Sequence, residues 1–272
     1  MTIPTITEAE FTRFQRFIFE AAGITLSSAK EALVGGRLAK RVQECDLGSY
    51  AEYFRLLASG KAPGEVQTAV DLLTTNETYF FREAKHFDLL RRLTSEARDL
   101  TQPFRVWSAA SSTGEEAYSI AMVLADRLEG GRWEVVGSDI STRVLERARR
   151  GHYQMARAEH IPAAYLQRFC LKGMGAQHGT LLIERALREK VRFLHVNLNV
   201  TLPELGTFDV IFLRNVMIYF NEDTKRRVVA RLLSALKPSG HFVIGHSETL
   251  NGISEAVRPL APSIYCKLPG RP

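Results

Sequence analysis

Two glutamates directly after a run of small residues, and an aspartate closing the next apolar run, are the first side chains in this sequence whose placement suggests chemistry. In Ser111-Ser-Thr-Gly-Glu-Glu116 the backbone can pass close to a ligand, and the first turn of the helix that follows offers N–H groups without intrahelical partners. Such turns commonly hold phosphates. Here Glu115 and Glu116 would face them, and neither the G-x-G-x-x-G spacing nor the G-x-x-x-x-G-K-[ST] lysine is present, which disfavours pyrophosphate and triphosphate. A cationic ligand without phosphates fits better, and S-adenosylmethionine, a sulfonium with an amino-acid tail and a ribose, meets that description. The alternative is that both acids only complement the positive end of a helix dipole. Asp139 ends Trp133-Glu-Val-Val-Gly-Ser-Asp139, where a carboxylate can accept hydrogen bonds from both ribose hydroxyls. Its alternative is a cap for the helix that Ser141 opens.

The elements that must position these residues are legible around them. Val106 to Ala110 is a short apolar run, and helical spacing begins at once with Ala117, Ile120, Ala121 and Leu124, giving strand, tight turn and helix. Val191 to Asn197, Phe208 to Leu213 and His241 to His246 read as further strands. Asp223 to Leu236 reads as a helix ended by Pro238 and Gly240, and Ile264 to Leu268 can supply a last strand. Between these, His152 to Lys190 breaks the strand-helix alternation and reads as a small inserted antiparallel element, a hairpin with its loop at Gly173 to Gly179.

The first 75 or so residues are helical in pattern. Thr7-Glu-Ala-Glu10 and Ser49-Tyr-Ala-Glu52 have capping-box form, Gly23 ends the first helix, and Lys61-Ala-Pro-Gly64 separates the third from a fourth. On the second helix, Val34, Leu38, Val42 and Cys45 share one face, while Arg37, Lys40 and Arg41 fall on another and form a basic surface or a plain solvated one. Thr74 to Glu83, a polar run fused to three aromatics, joins this region to the sheet. The expected boundaries are a helical domain over 1–75, a linker and pocket wall over 76–95, and an α/β domain over 96–272 with its insert at about 152–190.

Composition sets the outer limits. The 272 residues carry a net charge of +6 and are 45% apolar, ordinary for a globular chain, and the charge favours an acidic partner. No run approaches the roughly 18 apolar residues of a membrane span and no signal-peptide pattern opens the chain, so a cytoplasmic protein without membrane insertion is expected. Cys45, Cys170 and Cys266 are far apart, and no metal-ligand spacing is seen among cysteines or histidines.

At Thr74-Thr-Asn-Glu-Thr-Tyr-Phe-Phe-Arg-Glu83, at Trp107 to Ser119 and at Arg214-Asn-Val-Met-Ile-Tyr-Phe220 the sequence resembles the CheR-type chemotaxis receptor methyltransferases, and the likeness covers nearly the whole chain. The resemblance implies a class I S-adenosylmethionine-dependent methyltransferase fold, Rossmann-like, with a small inserted antiparallel β-subdomain and an all-α N-terminal domain. It implies that Asn76, Thr78 and Arg82 line the pocket for cofactor and substrate from the linker side. Glu116 and Asp139 would hold the cofactor's amino-acid end and ribose, with Glu115 the alternative to Glu116. Asn197 and Leu198 would flank the adenine, and Arg214 and Asn215 would complete the site near the methionine moiety. Ala117 departs from the family, which commonly has proline there, and Leu213 stands where cysteine is frequent; neither change touches the expected chemistry.

The implied reaction converts a glutamate side chain on a receptor's cytoplasmic helical bundle to its methyl ester, leaving S-adenosylhomocysteine. Such a carboxylate, with an ordinary pKa of about 4.3, is already ionised at neutral pH and needs no general base. What the enzyme must supply is in-line alignment and removal of water. Arg82 is expected to orient the acceptor carboxylate and Tyr219 to position it or the sulfonium. Expected partners are the methylation helices, met by the face of Arg37, Lys40 and Arg41, and a receptor C-terminal tail peptide added as a strand to the insert; the chain is expected to act as a monomer. The alternatives are a nucleic-acid methyltransferase and a receptor-binding adaptor without turnover.

Overall fold

The structure, a computed structural model, describes residues 5–96 and 102–269. Helices α1 (Glu8–Ala22), α2 (Glu31–Glu44), α3 (Tyr50–Ala58) and α4 (Pro63–Leu73) come first. Their starts are set locally. Thr7 and Glu10 close a reciprocal capping box, Ser49 accepts the Glu52 N–H at 3.2 Å, and Pro63 occupies the first turn of α4. After α5 (Lys85–Glu96), the chain alternates through β1 (Phe104–Ser108), α6 (Glu115–Arg127), β2 (Trp133–Asp139) and α7 (Thr142–Arg150).

The insert follows as β3 (His152–Gln154), α8 (Ala163–Phe169), β4 (Cys170–Lys172) and β5 (Thr180–Ile183). It is a three-stranded antiparallel sheet of order β3-β5-β4, so the expected hairpin around Gly173–Gly179 is present and gains a third strand from His152–Gln154. The short α9 (Arg185–Arg188) leads to β6 (Val191–His195), β7 (Phe208–Leu213), α10 (Glu222–Ser234), β8 (Leu236–Ile244), β9 (Val257–Ala261) and β10 (Ile264–Lys267).

The main sheet has order β6-β2-β1-β7-β8-β10-β9, parallel through β8 and antiparallel at β10 and β9. Two strand expectations change. Pro238 and Gly240 do not stop α10; they lie inside β8, which starts at Leu236, and a register shift opposite Phe208–Val210 accommodates them. β9 was not anticipated, because four of its five residues are exposed and it carries Pro259, the pattern of an edge strand.

Alternation along the strands sends side chains to two cores. Trp107 and Ile211 belong to a core that includes α10 residues and continues into the helical domain, whereas Val106 and Phe212 belong to one shared with α5, α6 and the insert. The sheet is thus covered on both faces, as a parallel sheet must be. Strand order reverses between β1 and β7, and their carboxyl ends form the crevice where ligands bind in such sheets.

Candidate functional site

A cavity opens at that crevice, the place where small molecules bind in sheets of this kind. The end of β1 leads into a turn where Gly114 has φ of 97°, and a Cβ there would meet Ala148 at 2.9 Å and the Tyr153 hydroxyl at 3.0 Å. Glycine is therefore required for α6 to begin this close to α7 and the insert. Tyr153 of β3 donates to the Thr113 carbonyl at 2.7 Å, so the insert buttresses the turn.

The two glutamates at the start of α6 diverge. Glu115 is fully buried and turned to Arg157 of the insert, with Thr113 donating to it at 2.6 Å. Glu116 lines the cavity and accepts from the Ser108 hydroxyl at 2.7 Å and from Arg214 at 2.8 Å. Asp139 also lines it. One carboxylate oxygen accepts the Ser112 N–H and the other the Ser141 N–H, both at 2.9 Å, which leaves two further lone-pair directions for a ligand. Burial, only partly offset by these N–H groups, pushes its pKa up to about 6. At the start of α7, Asp139 takes only the Ser141 N–H; Asp71 of α4 caps the helix, accepting from the Thr142 N–H at 3.0 Å and its hydroxyl at 2.8 Å.

Arg214, at the end of β7, is the most enclosed cation of the site, with a side chain 1% exposed. It bridges Glu116 and Glu83, the latter at 3.2 Å, and donates to the Arg82 carbonyl at 2.5 Å, while its Nε has no hydrogen-bond partner among the described residues. A buried guanidinium N–H without an acceptor, on the wall of a cavity, suits the carboxylate of an amino-acid tail. Asn215 has φ of 56° and is held by Glu248, which accepts the N–H groups of Asn215 (2.9 Å), Met217 (2.8 Å) and Gly245 (2.7 Å). Phe81, Glu83 and Ser112 also take left-handed backbone conformations, so strain gathers around this cavity.

The other expected residues also reach the cavity wall. Asn76, Thr78 and Arg82 line it from the linker, and Arg82 lies 5.6 Å over the Tyr79 ring with its guanidinium donating to the Glu77 carbonyl at 3.2 Å. Tyr219 and Leu198 line it from the other side. Asn197 lines it too, with its amide partly engaged: it donates to the Ala21 carbonyl at 2.7 Å and accepts the Asn199 N–H at 2.9 Å, which leaves one N–H and one lone pair.

Arg37, Lys40 and Arg41 do not gather at the cavity. Arg41 holds the buried Glu65 at 2.7 Å, with the Tyr53 hydroxyl donating to the same carboxylate at 2.6 Å. Arg37 donates to the carbonyls of Leu73 (3.0 Å) and Thr74 (3.2 Å), and Lys40, 86% exposed, faces Glu44 at 3.5 Å. Of the three, Lys40 is the most exposed.

Sequence reasoning missed several participants. Ala22 and Ile24 of the helical domain line the cavity, a contribution invisible to local pattern. Glu248 carried a signal in Gly245-His-Ser-Glu248 immediately after β8 that was not read. The histidines, expected to form no cluster, are partly drawn together: ligand atoms of Glu83, His86 and His246 lie within 4.8 Å of one another. Glu83 is the acceptor at its centre, taking Arg214, the His246 N–H at 3.2 Å and the Asn215 amide at 3.4 Å, and burial followed by the Arg214 charge pushes His86 down to about 3. Among the described residues, no helix is long and apolar enough to cross a membrane.

The family described as "CheR methyltransferase, SAM binding domain" matches residues 76–266, and "CheR methyltransferase, all-alpha domain" matches residues 9–74. A chemotaxis protein methyltransferase of Escherichia coli (strain K12) is 41% identical over 265 residues, covering 96% of this chain and 91% of that protein. Chemotaxis protein methyltransferase 2 of Pseudomonas aeruginosa is 41% identical over 264 residues, covering 95% and 93%. Among solved structures, N-methyltransferase NodS from Bradyrhizobium japonicum WM9 is similar over 69% of this chain and 97% of that one, at 14% identity and a TM-score of 0.39.

Proposed function

Because the chain belongs to the CheR methyltransferase family and is an S-adenosylmethionine-dependent methyltransferase, we propose that it esterifies glutamate side chains of chemotaxis receptors, the step that adapts their signalling. The observation that carries the reading is that one cavity joins acids suited to the cofactor with a positive, partly open side suited to a carboxylate: Asp139 and Glu116 on one hand, Arg82, Asn215 and Tyr219 on the other.

S-adenosylmethionine, when bound, supplies a methyl group on a positively charged sulfur. Asp139 accepts from the ribose hydroxyls with the two lone-pair directions that Ser112 and Ser141 leave. Arg214 takes the amino-acid carboxylate through its unpartnered Nε, and Glu116, fixed by Ser108 and Arg214, takes the ammonium. Leu198, with Ile140 and Val196, provides an apolar slot for the adenine. Arg82 holds one oxygen of the acceptor glutamate and leaves the other free, and Tyr219 completes its alignment. Catalysis then rests on positioning and on exclusion of water from the acceptor oxygen. The receptor's C-terminal tail, where one is used, would add to the edge strand β4, beside the exposed Leu171 and Met174.

The test is calorimetric titration with S-adenosylmethionine and S-adenosylhomocysteine, followed by transfer of labelled methyl to receptor membranes and, in parallel, to nucleic acid. Base-labile label on receptor supports the proposal. Label on nucleic acid, or base-stable label on protein, refutes it.

A further inference from the structure

A second cavity lies against the first and shares Thr74 and Asn76 with it. Its lining contains four arginines, Arg37, Arg143, Arg147 and Arg157, and no acid. They come from three parts of the chain: α2, the exposed side of α7, and the short helical turn Met155–Ala158 of the insert. Three of the four are pinned through neutral groups. Arg37 is held by the carbonyls of Leu73 and Thr74 and the Thr75 hydroxyl, Arg143 by the Asp71 carbonyl at 3.0 Å, and Arg157 by the Thr78 carbonyl at 2.7 Å. Of these, Arg157 alone has a carboxylate partner, Glu115. Arg147 is exposed and has no acidic partner among the described residues.

Four guanidinium groups held around one hollow repel one another. Burial, and after it the nearby Arg143 charge, keeps the pKa of Arg37 below the ordinary arginine value. An anion in the hollow would relieve that repulsion, and the ordered arginines would lose little freedom on taking it up. The wall shared with the catalytic cavity places such an anion beside the acceptor site.

We propose that this groove binds carboxylates of the acidic protein segment that presents the substrate glutamate. The inference rests on the methyl-ester reading; it keeps Arg37 of the α2 face and adds α7 and the helical turn of the insert to the surface that meets the acidic segment. A protein segment is favoured over a phosphate ligand because the groove is continuous with a site whose acceptor is itself a side-chain carboxylate.

The experiment compares wild type with Arg147→Glu and Arg147→Lys, substitutions at an exposed position that leave the fold intact. Affinity for a synthetic glutamate-rich helical peptide is measured by calorimetry, and methyl transfer to receptor membranes is followed at several salt concentrations. Arg147→Glu should weaken peptide binding and raise the acceptor KM by about 5- to 10-fold, flatten the salt dependence, and leave kcat and S-adenosylmethionine affinity unchanged. Arg147→Lys should stay near wild type. Equal peptide affinity and KM in wild type and Arg147→Glu would overturn the proposal, as would tighter Arg147-dependent binding of a short DNA duplex. If wild type binds the peptide through Arg147 but transfers no methyl to receptor, the ester reading falls and the acidic-peptide groove stands.

Discussion

Asp139 is asked to do two opposed things: stay buried in the free protein and present a negative charge to a ligand. With its pKa pushed up to about 6 from an ordinary 3.8, its contribution to the stability of the free protein is full below the lower value and is lost as pH rises through the upper one. Ribose hydroxyls favour the carboxylate instead. Affinity for S-adenosylmethionine should therefore rise between about pH 5 and pH 7 with release of a proton, measurable by calorimetry in buffers of different ionisation heat. Asp139→Ala should weaken binding at pH 7.5 at least about tenfold, since hydrogen bonds to a charged acceptor contribute about 1.5–3 kcal/mol each; unchanged affinity would remove Asp139 from the site. At this scale the sequence was informative where residue type alone decides, as with an acid ending β2. It left Glu115 and Glu116 undistinguished, because their directions depend on Arg157 and Arg214, both remote in sequence.

Helix ends divide the same way. The caps supplied by Thr7, Ser49 and Asn221 lie next to the helices they start, and the first two were legible. The cap of α7 was not, because Asp71 comes from α4 and completes a joint in which Gln67 also reaches the Ile140 carbonyl at 2.9 Å. Asp71→Ala should destabilise the protein by about 2 kcal/mol, a cap plus an unpaired N–H, and should also loosen the segment carrying Asp139, so cofactor affinity should fall in titration although Asp71 touches no ligand. Arg41→Ala should cost about 3 kcal/mol in denaturant unfolding, because it strands the buried Glu65 carboxylate. Loss of receptor methylation in an Arg41 variant is thus ambiguous between unfolding and docking, and Lys40 is the cleaner probe of the α2 surface. The misread start of β8 has a similar origin: Pro238 and Gly240 usually end elements, and only pairing with β7 shows that a strand absorbs them.

Taken whole, the molecule joins its helical region and its sheet through one continuous core. Phe14, Leu38 and Tyr53 share it with Trp107, Ile211 and Phe242, and Ile24 forms an antiparallel bridge with Phe220. Heating should produce one cooperative transition, and S-adenosylmethionine at about 100 times its Kd should shift all of it upward, by about 2.7 kcal/mol of added stability. Two separated calorimetric peaks, only one of them ligand-sensitive, would contradict that. The strand-helix alternation was enough to foresee the fold class, since periodicity carries it; that the helical core runs on into the core of the sheet was not foreseeable, since amphipathic faces do not name what they cover.

Ala22 and Ile24 sit on the wall of the cofactor cavity, and Asn197 fastens that wall to the Ala21 carbonyl. A fragment beginning after α4 would keep every side chain proposed to hold the donor or align the acceptor and still lose part of the wall around that cavity. The leading helices are accordingly masonry of the reaction chamber, and excising them should abolish donor retention before any question of receptor choice arises.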